Sequence, residues 1–188
     1  MKPTILVGMI DDSDEWLYAT IGQTFMTEQI KAEDLPSLIG KELEPSPWLE
    51  ITQERVDQFA EATNDYQFIH VDPERAAQTP FGGPIAHGFL TLSLLSYMNA
   101  QSAVVPENLV MGVNYGSDKI RYLMPVRVGK RIRSLQKVLE VTEKKPGNWL
   151  LKYQVTVEIE NEETPALIAE ILSMLVVDTQ TKEKQELT

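Results

Sequence analysis

The side chains that titrate near neutral pH are few, and they lie in one part of the chain. There are 2 histidines, His70 and His87, and no cysteine. Asp65 and His70 stand five residues apart in a stretch without regular period. A loop that doubles back over that spacing brings a carboxylate and an imidazole to one small volume, where they can hold a water molecule. One group then takes a proton while the other gives one, provided their pKa values are pushed apart. The alternative is structural: Asp65 caps a turn and His70 is its satisfied partner. His87-Gly88 lies at the first turn of an apolar segment that reads as a helix. Amides there have no intrahelical acceptor, the helix dipole adds positive potential, and Gly88 has no side chain to keep a ligand off the backbone. Such a place suits a developing oxyanion, for example a thioester carbonyl becoming an enolate. The alternative is that Gly82, Gly83 and Gly88 serve only a tight loop and close packing. Ser93, on the same segment, reads as a hydroxyl bonded back to its own helix. No metal site is expected, because there is no thiolate and no His-x-x-x-His or His-Glu pair at ligand spacing. No cofactor is expected either: Gly82-Gly83 precedes a helix but meets the spacing of neither phosphate-binding motif.

These residues must be positioned by the elements around them. Residues 27–40 read as a short helix ending at Gly40, and Pro45 and Pro47 then break the chain before an extended piece from Trp48 to Ile51. Thr52 is an N-cap for an amphipathic helix in which Val56, Phe59, Ala60 and Thr63 share a face and which ends near Asn64. Asn64 to Val71 reads as a loop, and Asp72-Pro73 starts a second short helix through Gln78. The run Thr79 to Pro84, with two prolines and two glycines, cannot be regular structure. Ile85 to Asn99 is a third helix with Phe89, Leu90, Leu92, Leu94, Leu95, Tyr97 and Met98 on every side. An element apolar all round must be buried all round, and a curved sheet is its natural wrapping. Residues 118–128, 130–142, 149–160 and 166–178 read as strands, with alternation such as Val155, Val157, Ile159 against Thr156, Glu158, Glu160. Pro146-Gly147-Asn148 is a hairpin turn, so an antiparallel meander is expected and the fold class is α+β.

The bulk properties set limits on function. At 188 residues, 43% of them apolar, the chain suits one domain with a sizeable core. Its net charge of −11 argues against nucleic acid as a partner. The acidic start, Asp11 to Glu15, follows a short apolar stretch and fits neither a signal peptide nor a mitochondrial leader, and no apolar run approaches membrane-spanning length. A cytoplasmic protein is expected. Lys119, Arg121, Arg127, Lys130, Arg131 and Arg133 form a run with no acidic residue among them. That run reads either as a solvated strand face or as a site for an anionic ligand such as the phosphates of coenzyme A.

Two blocks carry a family likeness. Phe59-Ala60-Glu61-Ala62-Thr63-Asn64-Asp65-Tyr66-Gln67-Phe68-Ile69-His70-Val71-Asp72 resembles the hydratase motif of MaoC-like dehydratases, which include the (R)-specific enoyl-CoA hydratases. Pro80-Phe81-Gly82-Gly83-Pro84-Ile85-Ala86-His87-Gly88-Phe89-Leu90 resembles that family's second hallmark. The likeness is strong over residues 48 to about 100 and extends weakly to about 178, so residues 48–178 are taken as the domain. Residues 1–47 are then an N-terminal extension of uncertain structure and 179–188 a tail. Gln67-Phe68 stands where hydratases of known type usually have Asn-Pro, which makes the chain look most like the nodulation-protein-N-like branch. The resemblance implies a hot-dog fold, an antiparallel sheet wrapped around one long helix, and a homodimer. It implies a hydratase/dehydratase that interconverts a trans-2-enoyl thioester and a (R)-3-hydroxyacyl thioester, carried by coenzyme A or acyl-carrier protein. By the same analogy Asp65 and His70 bind and activate water and the Gly88 amide polarises the thioester carbonyl. Ser93 matches a hydroxyl position near the site, and Ile85 and His87 belong to the substrate-binding stretch, His87 in a structural or pocket-lining role. The rivals are a hot-dog thioesterase, against which residues 85–100 offer no acidic side chain, and a non-catalytic acyl-thioester-binding module.

Overall fold

The protein is described by a computed structural model over residues 28–179. The first elements are strand β1 (Glu28–Ile30) and a 3-10 helix (Ala32–Leu38), where the sequence suggests one α-helix over 27–40. Pro36 lies inside that turn and cannot donate to an α-helical ladder, while Leu35 and Leu38, three apart, are both buried as threefold winding requires. Gly40 donates its amide to Val138 O at 2.8 Å, and Leu43 and Ser46 bond to the same strand, so residues 28–47 pack onto the sheet.

Strand β2 (Leu49–Glu50) leads into α1 (Gln53–Thr63), capped by Thr52, whose hydroxyl accepts from the Arg55 amide at 3.2 Å. The helix stops at Asn64, which turns left-handed at φ 56°. The expected loop over Asn64 to Val71 contains a helical turn, α2 (Phe68–Val71), too short for a periodic signal. Helix α3 (Pro73–Ala76) follows, with the Asp72 carboxylate capping the Arg75 amide.

The apolar segment starts its helix later than expected. Residues 85–87 are extended: Ile85 bridges to Arg127, and Ala86 donates to Val126 O at 2.8 Å. Helices α4 (Gly88–Ser93) and α5 (Leu95–Ala100) then run on through Leu94, whose ψ of −13° marks a local loosening. Leu94 N bonds Leu90 O and Met98 N bonds Leu94 O, so the axis is not broken. Nor is this segment buried all round. Leu90, Leu94, Leu95 and Met98 face the core, whereas Phe89 is 69% exposed and Tyr97 40%, with Ser93 and Ser96 open on the same side. Apolar composition fixes how much must be covered, not that one chain covers it.

Strand β3 (Val104–Pro106) pairs parallel with β1. The five-stranded sheet adds β4 (Leu109–Tyr122), β5 (Arg131–Lys145), β6 (Asn148–Ile159) and β7 (Leu167–Val177), in the order β2-β5-β6-β7-β4, antiparallel throughout. The meander therefore holds for β5 to β7 only. The strand expected at 118–128 begins at Leu109, ends at Tyr122 and lies against β7 at the far edge, because residues 123–130 cross the sheet and carry the contacts to Pro84, Ile85 and Ala86. One sheet face packs on α1, α4 and α5 through Val56, Leu90, Met98, Ile132, Val155 and Leu167. A second cluster joins Leu35, Leu38 and Val105 to Val138, Leu151 and Leu175. The architecture is the hot-dog fold, a curled antiparallel sheet with a central helix.

Candidate active site

The site is built where the end of α1, the short α2 and the extended approach to α4 meet. Asn64 reverses the chain, and the Asp65 amide then closes onto Ala60 O at 3.2 Å. Asp65 is exposed, while His70, one turn into α2, is 6% exposed. Ile85 runs alongside: its amide bonds Ile69 O at 3.0 Å, and its carbonyl meets His70 Nδ1 at 2.7 Å. A carbonyl only accepts, so Nδ1 carries the hydrogen and Nε2 is left with a lone pair. Burial pushes the His70 pKa below its ordinary 6.5; the bond to Ile85 works against that, neighbouring His87 lowers it further, and Asp65 raises it. The imidazole is thus held as a base rather than as a cation near neutral pH.

His87 completes the group. Asp65, His70 and His87 each offer an oxygen or nitrogen atom within 4.8 Å of the others. The two imidazoles stack at a centroid distance of 3.8 Å and an interplanar angle of 27°. Nitrogen lone pairs lie in the ring plane, so stacked rings aim them side by side instead of at one ion, a geometry poorly suited to a shared metal.

His70 lines a cavity of about 280 Å³ together with Phe81, Ile85, Gly88, Thr91, Tyr122 and Met124. Gly88 opens α4, so its amide has no intrahelical acceptor, and the residue lines the cavity. The Tyr122 ring packs so closely that a Cβ on Gly88 would stand 3.1 Å from its Cε1. Upstream, Gly82 adopts φ 68°, and Arg127 Nη2 donates to its carbonyl at 2.9 Å, which clamps the glycine turn. Of the residues suggested by sequence, Asp65, His70, Ile85, His87 and Gly88 come together. Ser93 does not join them: it is exposed, and its hydroxyl donates to Phe89 O at 2.7 Å, the back-bond its position suggested. Thr91, Tyr122 and Met124 line the cavity without having been singled out. Tyr122 arrives through strand pairing with β7 and Met124 through the crossing segment that follows it, neither encoded by a local pattern, whereas Thr91 lies one turn past His87 on the helix and was within reach of a facing argument.

The basic run is mostly neutralised. Lys119 pairs with Glu170, Lys130 with Glu162, Arg131 with Glu160 and Arg133 with Glu158, all across neighbouring strands or the adjoining loop. Arg133 also covers the Trp48 ring at 4.6 Å. The solvated-face reading therefore accounts for most of these cations.

The model of the MaoC like domain matches residues 34–163. The chain belongs to this family. The MaoC-like domain here is 46% identical over 157 residues to Nodulation protein N of Rhizobium leguminosarum bv. viciae, covering 83% of this chain and 98% of that protein. It is 44% identical over 137 residues to 3-hydroxyacyl-thioester dehydratase Z of Mycobacterium tuberculosis, covering 73% of this chain and 90% of that one. Among solved structures, the (R)-hydratase from A. caviae involved in PHA biosynthesis superimposes with a TM-score of 0.59 at 23% identity, over 72% of this chain and 94% of that one. The monoamine oxidase regulatory protein from Archaeoglobus fulgius gives a TM-score of 0.66 at 23% identity, over 82% and 99%. The nodulation-protein-N-like likeness read from the motifs agrees with these relatives.

Proposed function

We propose that this MaoC-like domain is a hydratase/dehydratase that interconverts a trans-2-enoyl thioester and a (R)-3-hydroxyacyl thioester. The observation that carries the reading is the convergence of the Asp65 carboxylate and the His70 imidazole to within 4.8 Å, with His70 and Gly88 both lining one cavity. Family membership and the name of the mycobacterial relative support the same chemistry.

In the hydration direction, Asp65 accepts one hydrogen of a water and His70 Nε2 accepts the other. The water oxygen attacks Cβ as His70 takes its proton, and the π pair of the double bond moves to form the enolate. The Gly88 N–H stabilises the enolate oxygen, as preorganised amides do where negative charge develops. The imidazolium then returns a proton to Cα, beside Asp65, and the 3-hydroxyacyl thioester leaves. One pair of side chains handles both protons, so addition is syn. Dehydration is the same path reversed. Ile85 fixes the tautomer that leaves Nε2 free, and no residue of this path calls for a metal or a cofactor.

The proposed working form is a homodimer. Strand β4 ends the sheet, and Val110, Met111, Val113 and Tyr115 on it are 46–62% exposed. The open face of α4 and α5 lies beside it, with Asn114 Nδ2 donating to Ser96 Oγ at 3.0 Å. A long apolar edge of this kind calls for a partner, and a second copy continues the sheet. Coenzyme A or acyl-carrier protein is the proposed carrier. Among the described residues no helix is long and apolar enough to cross a membrane. The proposed cytoplasmic location rests on the sequence composition alone.

The test is a short enoyl-CoA assay that follows both loss of the conjugated double bond and release of free thiol. Double-bond loss without thiol is expected, and Asp65→Asn should abolish it while the protein stays folded. Thiol release would instead mark a thioesterase, and binding without turnover a non-catalytic module.

A further inference from the structure

Asp65 is exposed, yet the reaction needs its carboxylate at a fixed place, and its own turn supplies little to hold it. The Asp65 amide bonds back into α1 at Ala60 O. The other side of that residue is held from 22 positions away: the Asp65 carbonyl oxygen lies 3.0 Å from His87 Nε2. Because a carbonyl only accepts, His87 carries its hydrogen on Nε2 and donates it there. His87 Nδ1 is buried and has no hydrogen-bond partner among the described residues, so the ring's one directional bond is the bond to Asp65. The same ring is 2% exposed and sandwiched, with His70 stacked on it at 3.8 Å and Phe59 of α1 tilted against it at 5.0 Å. Its own backbone carbonyl begins α4, accepting from the Thr91 amide at 3.2 Å, directly before the Gly88 amide. One residue therefore links the turn that bears the carboxylate and the ring that bears the base, through its imidazole, to the helix start that bears the oxyanion donor, through its backbone.

We propose that His87 is a positioning residue, whose Nε2–H to Asp65 C=O bond and stack on His70 hold the carboxylate and the imidazole in one geometry with the Gly88 amide. This rests on the hydratase/dehydratase reading given above. His87 takes no proton from substrate; it acts through Asp65 and His70.

Two amide replacements separate the bond from the ring. The Gln side-chain nitrogen reaches as far as His Nε2, the atom that binds Asp65. The Asn nitrogen reaches only as far as Nδ1, which binds nothing. In the enoyl-CoA assay His87→Asn should lower kcat about 10- to 100-fold with KM within about threefold, since a displacement on the order of 1 Å costs this much in a preorganised site. His87→Gln should keep kcat within about fivefold of wild type. A merely structural histidine would let the two variants fall together and in step with their melting temperatures, and that result overturns the proposal, as does a folded His87→Asn with normal kcat. Should His87→Asn fail to fold, His87→Phe replaces it, keeping a ring on His70 without the donor, and the same comparison with His87→Gln applies. Asp65→Asn and His70→Ala run alongside: if they turn over normally the hydratase reading itself falls, whereas if they are inactive and His87→Asn is not, only the positioning role falls.

Discussion

His70 does two jobs with two nitrogens, and one substitution separates them. Nδ1 donates to the carbonyl of Ile85, itself only 7% exposed, at 2.7 Å, and Nε2 is the proposed base. His70→Ala removes both. It leaves a buried acceptor unpaired, at about 1–3 kcal/mol, and loses the stack on His87, at about 0.5–1.5 kcal/mol, so a fall in melting temperature of roughly 5–15 °C is expected. His70→Asn places an amide nitrogen where Nδ1 stood, keeps the bond to Ile85 and loses only the outer part of the ring. Its cost should be about 1 kcal/mol, or about 2–4 °C. Activity divides the other way. Both variants lack Nε2, and removing a general acid–base group costs about 10²- to 10⁴-fold in kcat, which is about 3–5 kcal/mol on the barrier. The measurements are thermal melts and the loss of enoyl-CoA absorbance on the two purified variants. His70→Asn should be nearly as stable as wild type and nearly as inactive as His70→Ala. Turnover by His70→Asn above about a tenth of wild type would refute the assignment of Nε2 as base. Equal destabilisation of the two variants would refute the tautomer, because the Ile85 bond would then not be what holds the ring.

The titration of His70 and the open edge of β4 each set an expectation. Protonating His70 Nε2 removes the lone pair that takes the water's proton, and burial lowers this pKa, so the midpoint of the acid-side fall in kcat/KM should lie below pH 6.5; a fall already half complete above 6.5 sinks the reading. The sign for stability agrees: below 6.5 the unfolded chain binds a proton that folded His70 resists, so stability drops as pH falls from 6.5 towards the folded pKa, and His70→Asn should flatten that part of the melting profile. At the sheet edge, Tyr115 is 62% exposed, and Tyr115→Asp would place a charge in the proposed dimer seam. Sedimentation should show a dimer for wild type and a shift toward monomer for the variant; a wild type that sediments as a monomer removes the partner from the account.

The parts of this molecule that were legible in sequence are those whose causes are local. Thr52 caps a helix whose third amide it reaches, Asn64 ends it by turning left-handed, and Asp72-Pro73 starts α3, all within a few residues of their partners. Asp65 and His70 belong to this class, since a single reversed turn and a single helical turn bring them together. His87 could be suspected of belonging to the site, but its bond to Asp65 spans 22 residues and its stack on His70 spans 17, and neither is encoded by spacing. The basic run from Lys119 to Arg133 makes the same point in reverse. As a string it is a block of one sign; in the sheet its members meet Glu158, Glu160, Glu162 and Glu170, which follow 25 to 51 positions later. Register turns a charge block into cross-strand pairs. The apolar helix was misjudged for a related reason. Phe89 is as apolar as Leu90 and Met98 and Tyr97 carries a comparable ring, but they sit on the face that the protein's own sheet leaves uncovered, beside β4, where Phe89 meets the Tyr122 ring edge-on at 6.3 Å. Side-chain chemistry states a demand for burial, and only topology shows whether the same chain or a second one meets it. The juxtaposition of Asp65 and His70 is thus readable from one loop, while the proposed dimer seam that would close over Phe89 and Tyr115 is a property of where β4 lands.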